Sequence, residues 1–335
     1  MKRFLIYAAA AALVLTSCKK PEPTPQPEEK IVTGLITEDT YWYADTVYEM
    51  AGKVVVEEGA TLFIEAGTRV LARDGQGSLS TALIVAQGGK IEAVGTVDAP
   101  IVFTSIYDTG DNLDETDQGL WGGVVVLGNA PISADATPSL IEGIPANVGY
   151  GEYGGEDAFD NSGVLKYISI RHAGTLLGDG NELNGLTLGG VGSGTVIDNI
   201  EVVGNLDDGI EFFGGCVDAS NLLVWAQGDD AFDIDQAYAG TISNFVNVEG
   251  ADSDHALEID GPEGNYSDTF IMENGILIST DSVEVHIRDG AEGVMSFEGA
   301  ANVVADSGTN VTVTILQDVV MPDFSWTFTY SKGKL

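Results

Sequence analysis

Four segments in the middle of the chain repeat at short and nearly constant intervals. They begin at Asn184, Asp208, Asp230 and His255, so successive starts lie 24, 22 and 25 residues apart. A second set of similar segments alternates with them, and its members begin at Leu165, Ile197, Ala219 and Ile242. Both sets are short, apolar and bounded by glycine, which is typical of strands. A period of this length indicates a solenoid, in which equivalent strands stack in parallel. We therefore predict an all-β fold, a single-stranded right-handed parallel β-helix with coils of 22–25 residues.

The register of the repeats predicts which side chains stack inside the coils. Alternate residues of each strand point inward, and this gives two apolar columns. One column is Leu186, Ile210, Phe232 and Leu257, and the other is Leu188, Phe212, Ile234 and Ile259. A third column, Asn199, Asn221 and Asn244, is expected to be a structural ladder of stacked amides at a turn.

The regions beside the repeats fit the same architecture less regularly. Residues 54–70 and 83–103 alternate apolar and polar side chains, so we interpret them as the first coils. Residues 108–119 and 134–163 are rich in Asp, Glu, Gly and Asn and are expected to be loops that project from the solenoid. Near the end of the chain, Trp326 and Phe328 are expected to cap the last coil.

The first thirty residues have the layout of an export signal and a linker. Two basic residues precede an apolar run that ends in Leu15-Thr16-Ser17-Cys18, which resembles a bacterial lipoprotein signal. We predict a signal peptide over 1–17, lipidation of Cys18, a Pro-rich tether over 18–30 and the β-helix domain over 31–335. The alternatives are an ordinary cleaved signal and a short membrane helix, although the apolar run is shorter than the ~20 residues that span a bilayer. The expected location is the outer membrane.

Charge limits the partners that this chain can bind. The chain has 14 Lys and Arg against 52 Asp and Glu, a formal net charge of −38. Nucleic acids and anionic lipid surfaces require basic contacts, so binding to nucleic acid is not expected, and membrane attachment would depend on the lipid anchor. The hydrophobic share of 44% is nevertheless enough for a large core.

Several motifs of the repeat resemble those of a known family. They are NELNGLTLGGVGSGT from Asn181, DDGIEFFGG from Asp207, GDDAFDID from Gly228 and WGGVVVLGNAP from Trp121. Together they resemble a largely uncharacterised family of right-handed β-helix lipoproteins of Gram-negative bacteria. The resemblance implies the same fold and a place in the cell envelope. At the level of the fold the chain also resembles pectate lyases and polygalacturonases, which implies no activity by itself.

The acidic residues of the repeat are candidates for a cation site. On the strands, Glu211, Asp233 and Glu258 point outward, and Asp208, Asp230 and Asp254 lie at the corner before each strand. Coils stack about 4.8 Å apart, so neighbouring carboxylates would repel by ~1 kcal/mol in water and by ~3.5 kcal/mol at an effective dielectric of 20. Calcium is the expected cation, because it takes six to eight oxygen ligands, whereas three His and no Cys/His cluster disfavour softer metals. Capping of turns by the same side chains is the alternative.

Two classes of function fit this acidic face. The preferred one is a non-catalytic binding module for an extracellular glycan or a partner outer-membrane protein. Its candidate ligand-binding residues are Phe213, Trp225, Asp235, Tyr238 and Asp260. For the three aromatic residues, packing in the core or at turns is the alternative. The alternative is a polysaccharide lyase or glycoside hydrolase, because GDDAFDID resembles the paired acids of polygalacturonases; its candidate acids are Asp207, Asp208, Asp229 and Asp230. A purely structural or adhesive surface protein is a third possibility.

Overall fold

A computed structural model describes residues 28–335 except 76, 111 and 176–182. The predicted signal peptide, Cys18 and residues 19–27 of the tether lie outside the described residues. The first strand begins at Glu28, so residues 28–30, which were expected in the tether, already belong to the solenoid. No described helix is long and apolar enough to cross a bilayer.

The chain winds into a right-handed parallel β-helix, as the repeat predicted, and three parallel sheets form the walls of its coils. Three strands belong only to sheet I: β2 (Thr40–Trp42), β4 (Thr61–Ile64) and β7 (Lys90–Val94). Two belong only to sheet II: β5 (Arg69–Ala72) and β8 (Ile101–Ser105). Sheet III contains β6 (Ala82–Val85), β9 (Gly123–Leu127), β13 (Leu186–Gly189), β15 (Ile210–Phe213), β17 (Phe232–Asp235), β19 (His255–Ile259), β21 (Val283–Ile287) and β23 (Ala301–Ala305).

The remaining long strands bend from one sheet into the next. Two pass from sheet II to sheet III: β1 (Glu28–Ile36) and β3 (Thr46–Val56). Seven pass from sheet I to sheet II: β12 (Gly163–Arg171), β14 (Val196–Val203), β16 (Ala219–Trp225), β18 (Thr241–Val248), β20 (Phe270–Ile278), β22 (Glu292–Glu298) and β24 (Asn310–Ile315). A short hairpin, β10 (Ser139–Leu140) with β11 (Glu152–Tyr153), and one short helix, α1 (Phe328–Ser331), lie outside the coils.

The register of sheet III confirms both predicted apolar columns. Leu186 pairs with Ile210, Ile210 with Phe232, and Phe232 with Leu257. The second column, Leu188, Phe212, Ile234 and Ile259, follows the same pairing two residues further on. All eight side chains are buried in one hydrophobic core that runs along the axis of the solenoid. Burial of these columns, rather than any disulfide, therefore holds the described coils together.

The asparagine ladder is confirmed at the corner between sheets I and II. Asn199, Asn221 and Asn244 all have φ between +55° and +57°, and Asn274 continues the column at +57°. The Nδ2 group of Asn244 donates to Asn221 Oδ1 over 3.3 Å, and Asn221 Nδ2 donates to Asp198 Oδ1 over 2.7 Å. Asparagine fits this corner because it tolerates the left-handed conformation and bonds to the coil beside it.

Asn221 provides a test of this role. We expect Asn221→Ala to lower the free energy of unfolding by about 2 kcal/mol, since alanine is strained at φ +55° and both amide hydrogen bonds are lost. Asn221→Gly removes only the hydrogen bonds and should cost about 1 kcal/mol less. Urea unfolding of both variants measures the difference. Equal stability of the two variants would show that the backbone conformation does not select asparagine here.

Two segments, one predicted to project as a loop and one predicted to cap the last coil, instead cover the outside of the coils. Residues 128–162, which we call the covering loop, do not project into solvent, because Ile132, Ile141 and Tyr153 pack on the outer face of sheet III in a second hydrophobic cluster. Residues 316–335, which we call the C-terminal segment, do not cap the last coil. Trp326 and Phe328 lie instead on the outer face of sheet II, beside Val203, Leu223 and Trp225. Both segments bury outward apolar residues that a simple solenoid would expose.

Candidate functional site

Three columns of polar side chains line the outer face of sheet III over its second half. The first column consists of Asn184, Asp208 and Asp230 at the corner before each strand, followed by His255 and Glu284 at the start of β19 and β21. The second lies on the strands and consists of Thr187, Glu211, Asp233, Glu258 and His286. The third follows two residues later with Asp235 and Asp260 and continues into Arg288. Parallel stacking of the repeat creates these columns, because each coil places the same position above the last.

The carboxylates of Asp208, Glu211 and Asp233 meet at one point of this face, and we call them the carboxylate trio. One oxygen from each lies within 4.8 Å of the other two. Burial raises the pKa of all three carboxyl groups well above their usual range, and the neighbouring carboxylates raise it further. The trio therefore favours either protonation or a bound cation over three bare charges.

Asn184 adds an amide to the carboxylate trio. Its side chain is only 1% exposed, and its Nδ2 group donates to Glu211 Oε2. Its Oδ1 atom, like Oδ1 of Asp233, finds no hydrogen-bond partner among the described residues. Buried polar atoms normally have a partner, so these two oxygens, one of them from the trio itself, are free to accept a further donor or to ligate a cation.

A second group lies one coil further on and combines Asp230, His255 and Glu258. Oδ1 of Asp230 accepts from the backbone N–H of His255 over 3.0 Å and lies 2.7 Å from its Nδ1. Burial raises the pKa of Asp230, and a hydrogen bond to Glu258 raises it further. Burial alone would raise the pKa of Glu258, but the hydrogen bond from Asp230 and the ion pair with Arg288 lower it. The two carboxyl groups thus keep one proton between them.

The residues predicted to bind a metal fall into these groups, with one exception. Asp208, Glu211 and Asp233 form the trio, and Asp230 and Glu258 belong to the second group. The exception is Asp254, whose side chain is 64% exposed and whose Oδ1 lies 3.8 Å from His255 Nε2.

The predicted catalytic acids are also brought together, although at the edge of the acidic face. Carboxylate oxygens of Asp207, Asp208 and Asp229 lie within 4.8 Å of one another. Asp207 is buried and Asp229 is exposed. The fourth candidate, Asp230, contacts this cluster through its backbone N–H, which donates to Asp208 Oδ1 over 2.9 Å.

The three aromatic residues predicted to stack on a ligand are buried, so that prediction needs correction. Phe213 lies under Tyr153 of the covering loop, with ring centroids 5.9 Å apart, and Trp225 lies under the C-terminal segment. Tyr238 packs inside the coil on Phe212, and its hydroxyl donates to Val217 O over 2.6 Å. None of these rings offers a face to a sugar.

The two acidic residues predicted beside them, Asp235 and Asp260, are half-buried on sheet III. Burial and neighbouring carboxylates raise the pKa of Asp235 to about 7. The same causes raise the pKa of Asp260 to about 6. Both groups extend the region of unfavourable negative charge beyond the trio.

An exposed aromatic group that the sequence reasoning missed lies on sheet I at the first coils. The rings of Tyr41 and Phe63 stack 4.6 Å apart at an angle of 7°, and Tyr43 lies 6.4 Å from Tyr41. Tyr41 and Tyr43 are 51% and 53% exposed. With Glu65 and Glu92 they line a groove of about 370 Å³. The signal was present in the alternation of β2 and β4, which places these aromatics on the outward side.

Sequence reasoning also missed the basic end of the columns on sheet III. Glu284, His286 and Arg288 alternate along β21 and the residue after it, so all three point outward beside β19. Arg288 forms an ion pair with Glu258, and its Nη2 lies 3.3 Å from His286 Nδ1. The segment VEVHIRDG carries the repeat pattern with basic residues in place of acids, which was the available signal.

Comparison with known proteins agrees with this architecture. The model of the pectate-lyase-like β-helix domain matches residues 34–320. Neither the curated proteins nor the solved structures contain a match to the chain. The family match covers most of the chain and spans every coil on which the polar columns lie. The chain belongs to the pectate-lyase-like β-helix domain family.

Proposed function

We propose that the protein is a calcium-binding β-helix module of the cell envelope that binds an extracellular glycan without cleaving it. The observation that carries the proposal is the carboxylate trio with the orphaned amide oxygen of Asn184. The domain family fits a surface or carbohydrate-related protein, and the finer role rests on the arguments below.

Calcium suits the trio because every available donor is oxygen. Asp208, Glu211 and Asp233 supply up to six carboxylate oxygens, and Asn184 supplies an amide oxygen if its side chain turns. Calcium takes six to eight such ligands in a flexible arrangement and accepts carboxylates with one or both oxygens. A divalent ion would also remove the repulsion between buried carboxylates that raises their pKa values.

The aromatic groove on sheet I is the proposed glycan site. Exposed Tyr41 and Tyr43 offer flat apolar faces of the kind that pack on a pyranose ring. Glu65 and Glu92 line the same groove and can accept hydrogen bonds from sugar hydroxyls. An apolar platform beside a few polar groups is the usual composition of a small-ligand site.

The arrangement of the acids favours binding over catalysis. Glycosidases hold their two carboxyl groups about 5 to 9.5 Å apart so that a sugar or a water fits between them. Asp230 and Glu258, which have the required opposite protonation states, are instead hydrogen-bonded directly to each other. Polysaccharide cleavage by Asp207, Asp208, Asp229 and Asp230 remains the competing function, and release of reducing sugar ends would reveal it.

Attachment through a lipid on Cys18 is part of the proposed role. The Pro-rich residues after Cys18 would hold the domain away from the membrane surface. An outer-membrane location would expose the aromatic groove either to extracellular glycans or to a partner receptor, and we propose the glycan.

Substitution of the groove aromatics tests the glycan site. We expect the wild-type domain to bind at least one polysaccharide on an array of neutral and uronate-containing plant and bacterial glycans. Tyr41→Ala combined with Tyr43→Ala should weaken that binding about tenfold or more, because two stacking faces are lost. The melting temperature should change little, since both rings are half exposed.

A matched control separates stacking from general loss of aromatic surface. Phe159 is 82% exposed in the covering loop, away from the groove, so Phe159→Ala should bind the glycan as the wild type does. Equal binding by wild type and the double tyrosine variant would refute the groove as the glycan site. Release of reducing ends by the wild type, lost in Asp208→Asn, would favour the enzyme instead.

A further inference from the structure

Two of the three histidines in the chain meet on sheet III, one coil apart. His255 begins β19 and His286 lies on β21, and their ring centroids are 3.8 Å apart. One nitrogen of each ring and one carboxylate oxygen of Glu284 lie within 4.8 Å of one another. His255 is about thirty positions from the other two residues in sequence, so only the winding of the coil brings it beside them.

Asp230 fixes the orientation of His255. The imidazole is 7% exposed, and its Nδ1 lies 2.7 Å from Oδ1 of Asp230, which is itself 1% exposed. A proton on Nδ1 completes this hydrogen bond, and Nε2 then carries a lone pair. That nitrogen faces Asp254, whose Oδ1 is 3.8 Å away, beyond hydrogen-bond distance. A carboxyl oxygen that accepts from one ring nitrogen, with a free lone pair on the other nitrogen, is a usual arrangement of a metal-binding histidine.

His286 and Glu284 complete the donor set. His286 Nε2 lies 3.2 Å from Glu284 Oε2, so a metal ion between them would replace the proton of this hydrogen bond. That proton can leave to solvent or move to Nδ1. A move of the proton to Nδ1 of His286 requires Arg288 to turn away from that nitrogen. The side chain of Arg288 can do so, because it is partly exposed and already pairs with Glu258.

We propose that His255, His286 and Glu284 form a binding site for a transition-metal ion of the Zn²⁺ class, with Asp254 as a further ligand. Two imidazoles and a carboxylate suit Zn²⁺, Co²⁺ or Ni²⁺ rather than Ca²⁺, which prefers oxygen alone. With three protein ligands in place, the fourth coordination position of the metal is open to Asp254, to water or to a group of a bound ligand. The site shares no residue with the carboxylate trio, and it would bind one of the softer metals that the small number of histidines disfavours at first sight.

Calorimetric titration of the chelator-treated domain with Zn²⁺ tests the proposal. We expect one site in the wild type and at least about a hundredfold weaker binding in His286→Ala and in His255→Ala. Asp230→Asn, which acts through His255, should weaken Zn²⁺ binding by about ten- to a hundredfold. With Co²⁺ as the probe, the visible absorption of a low-coordinate ion should appear in the wild type and disappear in His286→Ala.

Two control variants keep the result interpretable. Asp281 is an exposed acid on the turn before β21 and outside the cluster, so Asp281→Asn should bind Zn²⁺ as the wild type does. Glu211→Gln should abolish calcium binding and leave Zn²⁺ affinity unchanged, which separates this site from the proposed calcium site. Wild-type Zn²⁺ affinity in a folded His286→Ala variant, or no Zn²⁺ binding by the wild type, would overturn the proposal.

Discussion

Replacing Glu201 with Ala should lower the free energy of unfolding by about 3–5 kcal/mol. Glu201 lies on the outer face of sheet II and is fully buried under the C-terminal segment. Its carboxylate accepts from the backbone N–H groups of Phe328 and Thr329 and from the Thr329 hydroxyl. The substitution would leave these donors without their acceptor and would remove a negative charge that interacts with the guanidinium of Arg171.

Urea unfolding measures this loss, and two further variants define its cause. Glu201→Gln keeps the shape and one acceptor, so it should cost less than Glu201→Ala. Phe328→Ala should expose Trp225, whose intrinsic fluorescence then shifts to the red, because the two rings lie 6.2 Å apart. Glu273→Gln, an exposed acid on β20, should change stability by less than about 0.5 kcal/mol. A loss below 1 kcal/mol in Glu201→Ala would mean that the C-terminal segment is not held by this carboxylate.

The domain freed of metal by a chelator should lose stability as the pH rises from about 4 to 7. Asp208, Glu211, Asp233 and Asp235 have raised pKa values in the folded state, the last shifted from 3.8 to about 7. In that window the folded state binds more protons than the unfolded state. The stability that these groups contribute is therefore fully present below their ordinary pKa and is lost as the pH rises to their pKa in the folded state. Asp108 and Asp198 have lowered pKa values, so the stability that they contribute changes with pH only below their ordinary pKa of 3.8.

Calcium should reverse this loss. At a hundred times its dissociation constant a ligand of the native state stabilises it by about 2.7 kcal/mol, which corresponds to roughly 4 °C in a domain of this size. We expect that gain at pH 7.5 and a much smaller gain at pH 4.5, where protons compete for the trio. Melting curves with excess calcium or with chelator at both pH values measure it.

Neutralising the trio provides the matched comparison. Glu211→Gln with Asp233→Asn should show a weaker pH dependence than the wild type and no calcium response. Asp252→Asn with Glu273→Gln removes the same charge from exposed positions and should behave as the wild type does. A calcium response that survives in the first double variant would place the ion elsewhere.

The repeat predicts the coils well because one register determines a whole column. Once Leu186 and Ile210 are aligned, Phe232 and Leu257 must follow, and the same alignment brings Asp208, Glu211 and Asp233 together. The covering loop and the C-terminal segment have no repeat and contact the solenoid over long sequence separations. Phe328, for example, reaches Glu201 across more than a hundred residues, which no local pattern indicates.

The same limit explains the errors at the candidate site. Outward aromatic residues of the repeat are candidates for contact with a ligand, but Phe213 and Trp225 lie under the two covering segments. Tyr41 and Tyr43 stay exposed because neither segment reaches sheet I at the first coils. The repeat does not predict the pair of His255 and His286, because the register of β19 with β21 shifts between His255 and Leu257.

The most direct test of the proposed calcium-binding module is to titrate calcium into the chelator-treated domain at pH 7.5 and to measure the heat of binding by calorimetry. We predict saturable binding at one site in the wild type and in Asp252→Asn, and no measurable heat of binding in Glu211→Gln with Asp233→Asn. Absence of calcium binding by the folded wild-type domain would contradict the proposal, and the carboxylate columns would then be neutralised by their own protons.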